Sequence, residues 1–257
     1  NRVWHYLMGQ GLVATPDNFG VLGGAPSHPH LLDYLTTEFV RHDWSVKWLV
    51  REIVLSRTYR LTSVPTTEQA VRDADGILLS HRRVRRLSAE AMRDAMLSAA
   101  DSLDAQLAGP SVPVYLNDQM TGRGRPAQSG PLDGDNRRTV YIEVRRNFLN
   151  PFLVAFDFPL PSMTVGARND SNVPAQALGL LNDPFGAEIA RRVALRSEGA
   201  ATPEMRVQAM VRAVLGRDAN SEESRQALQL VELADDQTGW VDLAHVLLNS
   251  KEFLYVR

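Results

Sequence analysis

Apolar residues recur at helical spacing along most of this chain and at strand spacing in one short stretch. Trp4, Leu7 and Met8 mark the tail of a helix. Leu32, Leu35 and Phe39 fall on one face of a second helix, for which Ser27 is the expected cap. Ser45 opens a third, with Val46, Leu49, Val50, Ile53 and Val54 expected to face inward. The tight His42-Asp43-Trp44 turn predicts that the second and third pack antiparallel. Ser88 heads a strong helix whose stripe is Met92, Ala95, Met96, Ala99 and Leu103. From Arg168 to Pro184 a dense polar loop runs into another, with Asn172 as its cap and Pro174 in its first turn, where a missing N–H costs little. Leu178, Leu181, Phe185 and Ile189 keep phase across Asn182-Asp183-Pro184, where Asp183 caps a second segment and a kink is expected. Thr202-Pro203-Glu204 and Ser221-Glu222-Glu223 start two further helices, with Gly216 stopping the first. A last helix carries Trp240, Leu243 and Leu247 and ends near Phe253.

Turn formers separate these segments. Ala14 to Ser27 is rich in Gly and Pro, Leu61 to Asp75 is a polar loop, and Ile77 to Ser80 reads as a short helical piece. Residues 117–136 form an expected surface loop. Thr139, Val140, Tyr141, Ile142 and Val144 read as a strand, expected to pair with Val112 to Leu116 in a small hairpin. The predicted fold is mainly α: an irregular helical bundle with one small antiparallel β element and long loops, forming a single helical domain over residues 1–257. The chain opens on Asn1, already in a helical pattern, and reads as a fragment of a longer protein. The lack of a signal peptide in it therefore carries little weight.

Composition narrows the function classes. The 257 residues are 44% hydrophobic and 23% charged, as in ordinary globular domains. A net charge of −2 argues against a protein built mainly to grip nucleic acid, and no apolar run reaches the length of a membrane span. There is no cysteine, so this segment holds no disulfide, thiolate metal site, cysteine nucleophile or covalent haem attachment. Arginine outnumbers lysine by 26 to two, Lys47 and Lys251. Codon usage explains the bias; so does a need for planar cations that pair with carboxylate or sulfate.

Candidate chemistry is sparse. Glu90 and Asp94 lie one helical turn apart on one face, with Arg86 a turn earlier and Arg93 alongside. Either they form an arginine–carboxylate network or they are a paired acid and base, which would need an open cleft. Gln176, Asn182 and Arg168 sit where a short polar site could form. The candidate polar cluster is therefore Glu90, Arg93, Asp94, Arg168, Gln176 and Asn182. No catalytic residue and no metal ligand set is assigned. His28 and His30 do not share a helical face, and the other histidines are isolated. Arg82 to Arg86 holds four arginines in five residues, which reads as solvated surface or internal pairing; acidic glycan is the rival reading. Trp4, Trp44 and Trp48 read as core. Zincin, nucleophile-elbow, phosphate-loop and dinucleotide patterns are all missing.

Several separated motifs run in one order: Asn1-Arg2-Val3-Trp4-His5, Thr15-Pro16-Asp17-Asn18-Phe19-Gly20, Pro26-Ser27-His28-Pro29 and Ile53-Val54-Leu55-Ser56-Arg57-Thr58-Tyr59-Arg60. Arg86-Leu87-Ser88-Ala89-Glu90-Ala91-Met92-Arg93-Asp94-Ala95, Val173-Pro174-Ala175-Gln176-Ala177-Leu178 and Leu247-Leu248-Asn249-Ser250-Lys251-Glu252-Phe253 follow. Together they resemble the C-terminal domain of unknown function of large exported proteins of planctomycetes and related bacteria. The resemblance covers nearly the whole chain. That domain commonly follows a cytochrome-c-like haem domain and a second uncharacterised domain. The resemblance implies export to the periplasm or outside the cell, a multidomain parent, and a haem in another domain, with no cofactor in this segment. Two departures stand out. A loop that often carries a Cys in the family reads Pro161-Ser162-Met163-Thr164, and Gly76 replaces an Asn before Leu78-Leu79.

Three functional expectations follow. The first is a non-catalytic interaction or scaffolding module whose partners are other domains of its own polypeptide. The second is an enzyme domain acting on complex or sulfated polysaccharide through Glu90 or Asp94. The third is a docking partner of a haem domain in electron transfer.

Overall fold

A computed structural model describes residues 1–162, 164–234 and 236–256. Met163, in the loop where the resemblance leads one to look for a cysteine, lies outside them. The structure is mainly α: about half the chain is helical, in twelve α-helices among the described residues, with one two-stranded antiparallel sheet. Within the span read as one helical domain, these residues form two compact units. The first holds residues 1–85 and 164–168; the second holds 86–162 and 169–255, apart from the undescribed positions.

The first unit contains α1 (Arg2–Met8), α2 (Pro29–Arg41), α3 (Val46–Leu55) and α4 (Thr67–Arg72). Trp4, Met8, Leu12, Leu35, Leu49 and Ile53 make its core. Ser45 caps α3 by accepting from Trp48 N (3.2 Å). Ser27 does not cap α2: its hydroxyl donates to the Leu12 carbonyl, and Pro29, which lacks an N–H to cap, sits in the first turn after His28. The turn into α3 needs left-handed backbone at Asp43 and Trp44. That geometry leaves Trp44 66% exposed, so it is not core; Trp4 is buried, and Trp48 stacks on His42 with ring centroids 4.0 Å apart. Within α3, Leu49 and Ile53 point inward, but Val46 is exposed.

Two loop expectations change. Thr66 and Gln69 form a capping box, so the polar stretch after Leu61 contains α4. Conversely, Ile77 to Ser80 is a turn folded around Asp73, which accepts from Leu78 N, Ser80 N and Ser80 Oγ. The arginine run is anchored residue by residue. Arg82 is buried against the Met8 sulfur and the Tyr59 ring, Arg83 donates to Gln10, and Arg85 donates to the Tyr6 carbonyl (2.6 Å).

The second unit begins at the end of β1 (Arg85–Arg86), which pairs with β2 (Tyr255–Val256); Leu87 N donates to Leu254 O (2.8 Å). Its helices are α5 (Ala89–Ala99), α6 (Pro151–Ala155), α7 (Pro174–Asn182), α8 (Pro184–Arg196), α9 (Pro203–Leu215), α10 (Ser221–Leu233), α11 (Asp236–Leu248) and α12 (Lys251–Leu254). Met92, Met96, Ile189, Val207, Met210 and Leu248 are among the side chains fully withdrawn from solvent at its centre. Each such burial stabilises by about 1.5–3 kcal/mol. Side-chain caps from Ser88, Thr202, Asn220 and Ser250 start α5, α9, α10 and α12, and Gly216 ends α9 with a left-handed φ of 71°.

The small β element is not where the alternating pattern placed it. Thr139 to Tyr141 forms a 3-10 turn, and Val112 meets Ile142 only in an isolated parallel bridge. Burial here does not follow strand spacing: Thr139 and Ile142, three positions apart, are buried, while Val140 and Val144 are exposed. Asn172 does not cap α7; Val173 occupies that position, and Gln176 Oε1 accepts from its backbone N–H. Asp183 does cap α8, through Phe185 N (2.9 Å), so the expected kink is a full break between α7 and α8. Leu178 and Leu181 face solvent and Leu180 is buried, because the break resets the helical phase.

Candidate functional site

Two polar networks lie inside the second unit, and between them they absorb three of the six candidate residues. The first is built on α5. Ser88 fixes where that helix starts, and this places Arg93 on its inner face, 2% exposed. A guanidinium there must find acceptors for its donors. Arg93 Nη1 donates to the Arg137 carbonyl (2.9 Å) and Thr139 Oγ1 (3.0 Å), and Nη2 donates to the Asp133 carbonyl. Asp94 stands 3.7 Å from it and accepts from Thr139 N (2.8 Å) and Thr139 Oγ1 (2.6 Å). Burial pulls the Arg93 pKa down, and Asp94 and Asp133 act against that. The Asp133 carboxylate in turn binds Arg192 (2.8 Å), which also reaches Glu188 and Asn136. The irregular segment 133–139 thus wraps a buried cation. Gly134 permits the approach: its φ is +59°, and a Cβ there would lie 2.6 Å from Arg93 Nη2 and 2.4 Å from Ile142 Cδ1.

The second network is built on α6. Asn150 caps this short helix, Pro151 fits its first turn, and Asp157 N and Phe158 N close it by donating to Val154 O and Leu153 O. That ending requires a left-handed residue, here Asp157 at φ +63°, where glycine is usual. The unfavourable backbone points a carboxylate at four donor groups. Arg86 Nη2 (2.6 Å), Ser171 N (2.9 Å), Ser171 Oγ (2.8 Å) and Gln176 Nε2 (3.4 Å) converge on it. Arg86 also donates to the Ser171 carbonyl (2.9 Å), while its Nε has no acceptor. Burial pushes the Asp157 carboxyl up, but the hydrogen bonds from Ser171 and Arg86 together outweigh it and hold the group below the ordinary carboxylate range.

The six candidates therefore do not form one cluster. Arg93 and Asp94 share the first network, and the half-buried Glu90 lies a turn earlier on α5, its backbone carbonyl accepting from Thr139 Oγ1 (3.4 Å). Gln176 belongs to the second network. Arg168 is half-buried in the segment 164–168 of the first unit. Asn182 is exposed and donates only one turn back, to Leu178 O (2.8 Å). Asn182→Ala is accordingly expected to change stability by less than about 0.5 kcal/mol, read by chemical denaturation.

Thr139, Asp133, Asp157 and Ser171 were missed from sequence. Asn150-Pro151 carried a signal for α6, a cap followed by a first-turn proline, and would have located Asp157 just past its end. Nothing in the pattern marks Thr139 or Asp133, whose roles depend on an irregular segment closing over α5. Among the described residues, no group of three or more His, Cys, Asp or Glu could hold a metal ion, and no helix is long and apolar enough to cross a membrane.

A family model described as "PSD1: Protein of unknown function (DUF1553)" matches residues 1–231. No curated protein and no solved structure matches the chain.

Proposed function

We propose that this chain, which belongs to the PSD1 family of proteins of unknown function (DUF1553), is a non-catalytic docking module of an exported, multidomain parent that carries a c-type haem in another domain. The observation that carries this reading is the engagement of Arg86, Arg93, Asp94, Asp157 and Gln176 with one another and with nearby backbone. Side chains held this way fix a packing arrangement and are not presented to a substrate. The outer side of α3 supports the docking part. Val46, Val50, Val54 and Leu55 line a shallow groove of ≈ 380 Å³ beside Lys47 and Arg51. Neither cation makes an ion pair among the described residues, whereas most arginines of the chain are paired. An apolar stripe flanked by free positive charge suits a partner surface that combines apolar and acidic groups, such as the edge of a haem domain with its propionates.

Calorimetric titration with a purified c-type cytochrome domain tests the proposal. Binding is expected at low ionic strength and should weaken about tenfold at physiological salt, because the contributing charges are exposed. The double reversal Lys47→Glu/Arg51→Glu should abolish it while leaving the melting temperature unchanged. Absence of binding at low salt would sink the docking reading. Turnover of a polysaccharide that Asp94→Asn removes would sink the non-catalytic one.

A further inference from the structure

A small cavity of ≈ 160 Å³ opens within the second unit between the starts of α6 and α8. Cavities near 150 Å³ take a single six-membered ring. One wall is aromatic: Phe152 and Phe185 meet edge to face with centroids 5.6 Å apart. The rest of the lining includes polar groups, and these are differently committed. Asn117 Oδ1 accepts from Gln119 N and Met120 N (both 3.1 Å), while its amide nitrogen makes no hydrogen bond among the described residues. The Tyr115 hydroxyl likewise has no partner among them, so it can both donate and accept. Asp183 accepts from the N–H groups at the start of α8, makes no ion pair among the described residues, and retains acceptor capacity on its carboxylate. Arg93 also borders the cavity; three of its five N–H donors are taken by Asp133, Arg137 and Thr139, and its charge is matched by Asp94 at 3.7 Å.

This inventory selects a ligand class. A wholly apolar ring would leave the Asn117 amide and Tyr115 hydroxyl unpartnered on burial. An anionic ring would meet an unpaired carboxylate, and the one lining cation, Arg93, already has Asp94 as its counter-ion. A ring with one apolar face and a rim of hydroxyls satisfies both parts of the lining: its C–H face lies on Phe152 and Phe185, and its hydroxyls donate to Asp183 and exchange hydrogen bonds with Tyr115 and Asn117. The geometry points to a binding site for one neutral sugar ring, either a free monosaccharide or the end residue of a neutral glycan. The site is distinct from the α3 groove, so it stands whether or not that groove docks a partner.

Titration of the isotope-labelled chain with methyl glucoside, methyl galactoside and methyl xyloside, followed by amide chemical shifts, tests this. The same titration with glucuronate and glucose 6-sulfate supplies the anionic arm. At least one neutral glycoside is expected to bind with a Kd of about millimolar and to shift amides around Tyr115, Phe152 and Phe185, with the anionic sugars weaker. Tyr115→Phe and Asn117→Ala should each weaken binding about five- to tenfold; Tyr115→Phe should do so without lowering the melting temperature, whereas Asn117→Ala also removes the turn bonds to Gln119 N and Met120 N. A neutral disaccharide binding more tightly than its methyl glycoside identifies a glycan end; equal binding identifies the free sugar. The assignment is overturned if no neutral sugar shifts those amides, if the anionic sugars bind more tightly, or if neither variant changes the affinity.

Discussion

Replacing Arg93 with methionine is expected to lower the melting temperature by about 6–20 °C. Methionine roughly fills the volume, so the loss is electrostatic and not a cavity effect. What remains is the Asp94 carboxylate with only the half-exposed Arg138 beside it, and two carbonyls, Asp133 and Arg137, without the donors Arg93 supplied. Removing one partner of a buried charged network typically costs about 3–5 kcal/mol, and each kcal/mol shifts the melting of a unit this size by about 2–4 °C. Arg93→Lys should recover little of it. An ammonium is a point donor, and the acceptors here are arranged for the two arms of a guanidinium. Differential scanning calorimetry of the two variants decides the matter. A fall of less than about 2 °C for Arg93→Met would show that the 133–139 segment does not depend on its buried cation.

The second large effect is expected at Asp157, and it carries a pH signature. Asp157→Ala removes the acceptor for Arg86, Ser171 and Gln176 and leaves a mostly buried guanidinium unanswered, at a cost of about 3–5 kcal/mol. Asp157→Asn separates charge from backbone, since asparagine tolerates the left-handed φ nearly as well as aspartate. It should cost about 2–3 kcal/mol, the range for losing charge-assisted hydrogen bonds. The folded pKa of Asp157 lies below its unfolded value near 3.8. The unfolded chain therefore binds this proton more readily as the solution acidifies. The stabilisation is complete above the unfolded pKa and is lost as pH falls through the folded one. Urea denaturation of the parent and Asp157→Asn should thus differ most at neutral pH and converge as the pH falls below 3.8 and through the lower folded pKa. A gap that stays constant with pH would mean the carboxylate charge does not matter there.

How far the sequence could be read follows from how local each signal is. Caps are local, so Ser45, Ser88, Asp183 and Thr202 were legible with their helices. The buried stripe of α5 was legible for the same reason, because a three-turn helix repeats its inward residue often enough to show, as Met92, Met96 and Ala99 do. The failures lie where a partner far along the chain decides. The run at Thr139–Val144 looked like a strand because it is rich in β-branched and aromatic residues, yet Arg93 recruits Thr139 from 46 positions away. Leu178 and Leu181 matched a helical stripe only if α7 and α8 were one helix, and the break at Asp183 rotates them outward. The candidate site suffered most. Residue type identified Arg93, Asp94 and Gln176 as worth watching, but separating Gln176 from the other two required knowing that Asp157 ends a five-residue helix in a left-handed turn.

The pairing of β1 with β2 has a practical consequence. Arg86 and Tyr255 bracket nearly all of the second unit, and Leu87 and Leu254 just inside them share a hydrogen bond. Its entry and exit points therefore coincide in space, as they do in modules that can be spliced into a surface loop of a host protein without stretching either graft junction.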